Sequence, residues 1–280
     1  MSGHEKITLY RDHISYYSQR ASLALAEKGI DCDSKIIPLA NLGLVDPWFV
    51  KLNPAGKIPI IVHGDRVVAE TPRILEYLDQ AFPNANRLHP DDSDERKRVI
   101  YFRDLADSIT LHEMMAGCVR HPHLVPEPPN FPPGRMEKVI KACNEDVPNK
   151  AAMLAKEHPE LRTVYEQLIE NRIKNRWDSP SEGDFKDLLS RADRLMSEVE
   201  DELKKTKHRY PDGESFLCGK DVSAADIFLI ILMHRMKQYG MAKLFWTNGQ
   251  RPHVSAYYEW MLSRETCAKV LPTFDFQPSK

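Results

Sequence analysis

The sequence predicts a chain in two parts: a small α/β domain over residues 1–86 and an all-helical domain over 87–280. Three observations lead there. In the first 84 residues short apolar runs alternate with amphipathic stretches, in the order β-α-β, an irregular segment, then β-β-α. From about His89 onward the periodic segments repeat at helical spacing only. The composition, 42% hydrophobic and 29% charged over 280 residues, suits a chain that buries a sizeable core.

The elements follow in order. Ile7 to Tyr10 reads as a strand. Ser18 to Lys28 is helical by propensity and stops at Gly29, where a left-handed cap is easiest. Lys35 to Leu39 reads as a second strand. Ile58 to Val62 and Arg66 to Ala69 read as two more, joined into a hairpin by His63-Gly64-Asp65. Thr71 to Ala81 is a helix with Pro72 in its first turn, where a missing N–H costs nothing.

Asp92 and Glu95 stand at capping-box spacing and open a helix through about Cys118. The proline-rich stretch HPHLVPEPPNFPPG breaks the pattern from His121 to Gly134. Charged helical segments then cover Met136 to Cys143 and Leu161 to Ile173, and DSPSEG at 178–183 reads as a surface connection. From Phe185 to Leu203 an apolar face recurs at 3.6 spacing, through Leu188, Leu189, Ala192, Leu195, Met196 and Val199. An apolar helix starts at Ser223 and a last one covers Val254 to about Leu262. Ser223 and Asp226, again at capping-box spacing, are structural residues in this reading.

The formal net charge of −2 gives no electrostatic footprint for nucleic acid. The five cysteines, at 32, 118, 143, 218 and 267, form no CxxC and no metal-ligand spacing, so no metal site is expected. Their odd number without a secretory signal points to a reducing compartment. No stretch approaches the roughly 20 apolar residues that span a bilayer; the nearest, Ile227 to Met233, is better explained as a core helix. The expected location is cytoplasmic.

Three features of the first domain belong together. In NPAGKIPIIV, Pro59 stands at the start of an apolar run, where proline has no N–H to give to a ladder. It is also the residue for which a cis bond is cheapest. A trans-proline opening an edge strand is the plainer alternative. In AETPRILEYL, Glu70 and Thr71 stand at a helix start, where free N–H groups and the dipole favour a carboxylate. An acid and a hydroxyl there suit the two ends of an amino-acid head group, unless Thr71 is only an N-cap. In SYYS, Ser15 and Ser18 sit just before the first helix. A hydroxyl cannot form a mixed disulfide, but it can donate to a thiolate held by another molecule and lower that thiol's pKa. Here too a helix cap is the alternative, and Tyr16 and Tyr17 are either wall or core.

The β-α-β, β-β-α order resembles a thioredoxin-like fold, in which a cis-proline opens the third strand and the residue before it turns its backbone to a bound peptide. NPAGKIP, AETPRILEYL and DVSAADI together resemble the glutathione S-transferase superfamily. Further segments resemble its ganglioside-induced differentiation-associated branch: SQRASLALAEKGI, PWFVKLNPAGKIP, RDLADSI with GCVRHP, SFLCGKDVSAADI, and FWTNGQRPHVSAYYEWMLSRETC. That branch carries a long insertion in the helical domain, which 119–183 fits here.

The resemblance implies a glutathione S-transferase fold with a helical insertion, and glutathione as cosubstrate with no metal. Ile58 would pair with the cysteinyl backbone of glutathione. Glu70 and Thr71 would hold its γ-glutamyl end, and Lys57 its glycyl carboxylate. Ser15 matches the activating serine of serine-type transferases and is the expected catalytic residue. Tyr16, Tyr17 and Arg73 depart from the family's usual small residues, and Thr71 from its usual serine. Asp104 and the stretch from Asp107 to His112 would bias the second substrate.

Two functions follow from the resemblance. One is conjugation of glutathione to electrophiles, with activity that is weak or lost. The other is a non-catalytic adaptor in mitochondrial dynamics, binding a protein through the 119–183 insertion or an apolar small molecule in its pocket. A homodimer is the superfamily's habit. Members of the branch with a C-terminal anchor sit on the cytosolic face of the mitochondrial outer membrane; PTFDFQPSK, residues 272–280, contains no such anchor.

Overall fold

In a computed structural model, residues 6–177, 180–211 and 215–271 of the chain are described. The C-terminal PTFDFQPSK and part of the 178–183 connection lie outside them. The described residues divide into two compact units that interleave in sequence. Within the described residues, the first is formed by 6–21, 31–74 and 133–177, the second by 22–30, 75–132, 180–211 and 215–271.

The first unit holds a four-stranded sheet in the order β2-β1-β3-β4. Strand β1 is Ile7–Arg11 and β2 is Cys32–Ile36, paired in parallel; β3, Ile60–His63, runs antiparallel to β1, and β4, Arg66–Ala69, antiparallel to β3. Helix α1, Tyr16–Glu27, makes the crossover from β1 to β2, and Gly29 beyond it takes φ +63°, the left-handed cap expected there. A short helix α2, Pro47–Leu52, breaks the irregular segment, and α3, Thr71–Ala81, follows β4 directly.

Two strands start elsewhere than the sequence predicts. β2 begins at Cys32 and ends at Ile36, three residues ahead of the expected Lys35–Leu39. It is an edge strand paired only with β1, and Asp33, Ser34, Lys35 and Ile36 are exposed, so it carries no apolar alternation to find. Pro38 then closes off the apolar run that suggested the later register. β3 begins at Ile60 and not at Ile58, because Pro59 has no N–H to contribute to the ladder.

The same unit contains α6, Arg135–Lys141, a π turn at Ala142–Asp146, α7, Val147–Glu157, and α8, Arg162–Lys174. These come from the middle of the expected insertion, and α7 is a helix that the charge pattern did not reveal. Their apolar face is inside the unit. Val147, Ala151, Leu154, Ala155, Leu161, Tyr165 and Leu168 form one core with Val45 and Val50 from the irregular segment between β2 and β3. A second core joins Tyr10, Ile37, Leu44, Phe49, Ile58 and Ile60.

The second unit is helical. The helix expected from residue 92 to about 118 is two helices, α4, Ser93–Asp107, and α5, Leu111–Arg120. The break lies at Ser108, whose hydroxyl bonds back to the Leu105 carbonyl at 2.7 Å, and at Thr110, whose backbone is extended. Asp92 caps α4, accepting from the Glu95 and Asp94 N–H groups at 2.8 and 3.1 Å. Further on come α9, Glu182–Arg209; α10, Ala224–Gln238; α11, Ala242–Phe245; α12, Pro252–Ser263; and α13, Glu265–Val270. No helix among the described residues is long and apolar enough to cross a membrane.

Two buried carboxylates organise this unit. Asp226 accepts from the Leu217 N–H, the Ser223 N–H, the Ser223 hydroxyl and the Tyr257 hydroxyl, all between 2.6 and 2.9 Å. Asp79 accepts from Lys28 Nζ at 2.8 Å and from the Leu88 and His89 N–H groups at 2.9 Å, with His89 Nδ1 also 2.8 Å away. Burial pushes the Asp79 carboxyl up, but the bonds from His89, Lys28 and Leu88 outweigh it and hold it at about 2.

Asp79 therefore contributes stability above its ordinary titration near 4, and loses that contribution as pH falls through about 2. Asp79→Asn leaves the buried Lys28 ammonium with the Asn86 carbonyl but without its counter-ion, at a cost of roughly 3 kcal/mol or more at neutral pH. Thermal melts from pH 7 to pH 2 should show the gap between wild type and Asp79→Asn narrowing between about pH 4 and about pH 2.

Candidate functional site

Strand register brings the expected site residues to one end of the sheet. Tyr10 pairs with Ile60, and Ile60 pairs with Ala69, so these three lie in a row across β1, β3 and β4. The chain beyond that row carries the candidates. After β1 comes the turn to Ser15; before β3 come Lys57, Ile58 and Pro59; after β4 come Glu70 and Thr71.

The turn after β1 is built by Asp12. Its carboxylate accepts from the Ile14 and Leu39 N–H groups at 3.0 Å each, and its carbonyl accepts from the Ser15 N–H at 3.2 Å. Ser15 caps α1: its hydroxyl oxygen accepts from the Ser18 N–H at 3.3 Å and its carbonyl from the Gln19 N–H at 2.9 Å. Capping uses a lone pair and leaves the hydroxyl proton free to donate, so the cap and a thiolate-stabilising role are compatible. Ser15 is half-buried and Ser18 fully buried, so of the two hydroxyls Ser15 is the accessible one.

The two tyrosines differ. Tyr16 is 2% exposed; its hydroxyl accepts from Arg20 Nη2 at 2.5 Å, and the guanidinium carbon lies 4.4 Å from its ring centre. Tyr17, 37% exposed, meets Tyr16 edge-on at 5.0 Å. Tyr16 is a core residue; Tyr17 is the one at the surface beside Ser15.

The segment before β3 is held by Asn53, which the sequence reading passed over. Its side chain donates to the Lys57 carbonyl at 2.7 Å and accepts from the Ala55 N–H at 3.3 Å, an Asx turn for which the Asn-Pro pair is the sequence signal. Gly56 takes φ +56°, and a Cβ there would lie 2.6 Å from Leu168 Cδ1 and 3.1 Å from the Leu44 carbonyl. The Ile58–Pro59 peptide bond is cis. Ile58 buries its side chain in the Tyr10–Phe49 core while its main chain lies outside the ladder, which begins at Ile60.

At the third corner Glu70 is exposed and takes φ +67°, an unusual backbone for a residue with a side chain. Its carbonyl accepts from the Ile74 N–H at 2.9 Å, so Glu70 occupies the cap position and Thr71, 4% exposed, is the first helical residue. Thr71 is thus not the N-cap, and its hydroxyl and the first-turn N–H groups stand where an anion is favoured. Among the described residues, the polar side-chain groups of Lys57, Glu70 and Thr71 have no hydrogen-bond or ion-pair partner within the protein.

The chain's own thiols are poorly suited to nucleophilic chemistry. Burial pushes Cys118 and Cys267 up to about 12, and raises Cys32, Cys143 and Cys218 as well. No cluster of three or more His, Cys, Asp or Glu that could hold a metal occurs among the described residues.

Residues 14–81 match the family model for the glutathione S-transferase N-terminal domain, and 162–259 that for the glutathione S-transferase C-terminal domain. The chain is 26% identical over 274 residues to the human (Homo sapiens) ganglioside-induced differentiation-associated protein 1-like 1, covering 95% of this chain and 74% of the relative. It is also 26% identical over 277 residues to the tetrachloro-p-hydroquinone reductive dehalogenase of Sphingobium chlorophenolicum, covering 96% and 98%. The crystal structure of a glutathione S-transferase from the Antarctic clam Laternula elliptica superposes with a TM-score of 0.63 over 98% of this chain and 95% of the clam chain, at 21% identity. That likeness is one of fold. Ser15, Lys57, Ile58, Glu70 and Thr71 fall within the first family match.

Ser15→Ala should cost about 1 kcal/mol of stability through the lost cap. Gly56→Ala, which must tolerate both a left-handed backbone and the Leu168 contact, should cost roughly 2 kcal/mol. Urea unfolding of the two variants against wild type measures both.

Proposed function

From the premise that the chain belongs to the glutathione S-transferase superfamily, we propose that it binds glutathione at this end of the sheet and conjugates it to electrophiles. It is a glutathione S-transferase-like protein of the ganglioside-induced differentiation-associated type. The observation that carries the reading is the row Tyr10, Ile60, Ala69, which gathers Ser15, Ile58, Glu70 and Thr71 at one edge while the side chains of Lys57, Glu70 and Thr71 remain uncommitted.

The roles follow from chemistry. The Ile58 main chain pairs with the cysteinyl backbone of the tripeptide. Thr71, with the first-turn N–H groups of α3, takes the γ-glutamyl carboxylate, and Glu70 takes the ammonium. Lys57 meets the glycyl carboxylate. Glutathione supplies the nucleophilic sulfur, which the chain's own buried cysteines do not. The Ser15 hydroxyl donates to that sulfur and favours its ionised form.

Cytosol is the compartment this reading expects, with the cytosolic face of the mitochondrial outer membrane and a part in mitochondrial dynamics as its finer form. A homodimer, and a protein partner for the inserted helices, belong to the same reading.

Calorimetric titration with glutathione tests it. Wild type should bind in the millimolar range or tighter, about −4 kcal/mol or better, and Thr71→Ala should weaken binding by about tenfold. Ser15→Ala should bind nearly as well. With a chlorinated dinitroarene as electrophile, it should lose turnover and shift the rising limb of the pH–rate profile to higher pH, since the thiolate loses a donor. Absence of heat at millimolar glutathione would overturn the reading.

A further inference from the structure

The inserted helices are joined to the segment that leads into the proposed site. Lys150, on α7, donates from Nζ to Asp46 at 2.9 Å and to the carbonyls of Leu42 and Asn41 at 3.2 and 3.3 Å. Tyr165, on α8, is fully buried and donates its hydroxyl to the Val45 carbonyl at 2.9 Å. One turn along α8, Leu168 packs where Gly56 has no side chain. A further turn along, Arg172 Nη2 reaches the Gly56 carbonyl at 3.5 Å, which places its guanidinium beside the Gly56–Lys57 peptide.

The charges at this junction are unequally matched. Lys150 is paired with Asp46, and Lys51 reaches Glu160 at 4.0 Å. Among the described residues, neither Lys57 nor the half-buried Arg172 has a carboxylate partner. The Arg172 guanidinium therefore lies against the carbonyl that immediately precedes Lys57, and neither cation is matched by an anion among the described residues. Arg172 is carried by α8, whose Tyr165 and Leu168 are anchored in the buried core.

Resting on the glutathione reading above, we propose that Arg172, contributed by the inserted helix α8, is a second binding residue for the glycyl carboxylate of the tripeptide, acting with Lys57. The insertion is then part of the site as well as part of the unit's core. Its guanidinium offers a planar pair of donors that matches a carboxylate, which a lysine alone does not.

The test compares glutathione with its glycyl monoethyl ester, which lacks that carboxylate, by calorimetry on the full chain. Arg172→Ala should weaken glutathione binding by about tenfold, and Arg172→Lys should recover part of the loss. Wild type and Arg172→Ala should bind the ester equally. Should Arg172→Ala fail to fold, Arg172→Gln against Arg172→Lys provides the same comparison. An equal loss with both ligands would show that Arg172 only supports the loop and would overturn the proposal. Wild-type binding of glutathione with no change in Arg172→Ala removes Arg172 alone, whereas a wild type that binds neither ligand overturns the glutathione reading and this proposal with it.

Discussion

The register of β3 between β1 and β4 is the constraint on which the proposed site depends. Tyr10, Ile60 and Ala69 stand in one row, and the turn to Ser15, the approach through Ile58 and the start of α3 all leave from that row. A slip of one residue would turn Ile60 and its neighbours to the opposite face and break the core of Tyr10, Ile37, Leu44, Phe49, Ile58 and Ile60. Burial of that core therefore fixes the register. The register in turn delivers a main chain outside the ladder, a helix N-terminus and a hydroxyl to a common edge. Fold and chemistry are linked through one hydrophobic constraint.

A second dependence runs through the irregular segment from Leu39 to Gly56. It contains only short helical turns and would be a poor platform for binding by itself. Its Val45 and Val50 complete a core with α7 and α8, its carbonyls are taken by Lys150 and Tyr165, and its glycine receives Leu168. The resemblance gives the 119–183 insertion a part in binding a protein. Lys150 and Arg172 instead turn to the 41–56 segment, and the apolar residues of α7 and α8 belong to the same compact unit as the sheet.

What the sequence revealed was local chemistry. Gly29 beyond α1, the Gly64-Asp65 turn, Pro72 in the first turn of α3 and the Ser223–Asp226 pair each act through residues a few positions away, and each could be placed from type and spacing. Pro59 at the head of β3 belongs with them. What it concealed was of two kinds. β2 is an exposed edge strand with no apolar alternation, so the neighbouring Ile36-Ile37 run drew the expected strand three residues too far. The partners of the site segment are remote: Tyr165 is 120 residues from Val45, and Arg172 is 116 from Gly56. No periodicity reports such a pairing. The Asn53-Pro54 pair is a turn signal, but the hold of Asn53 on the Lys57 carbonyl depends on the path of the intervening chain.

The most direct measurement is amide nitrogen-15 NMR of the full chain, titrated with glutathione. The account predicts shifts concentrated in residues 15–18, 56–60 and 70–74, with the Ile58 amide among the largest, and little change around Asp226. Saturable shifts gathered elsewhere, or none at millimolar glutathione, would contradict it.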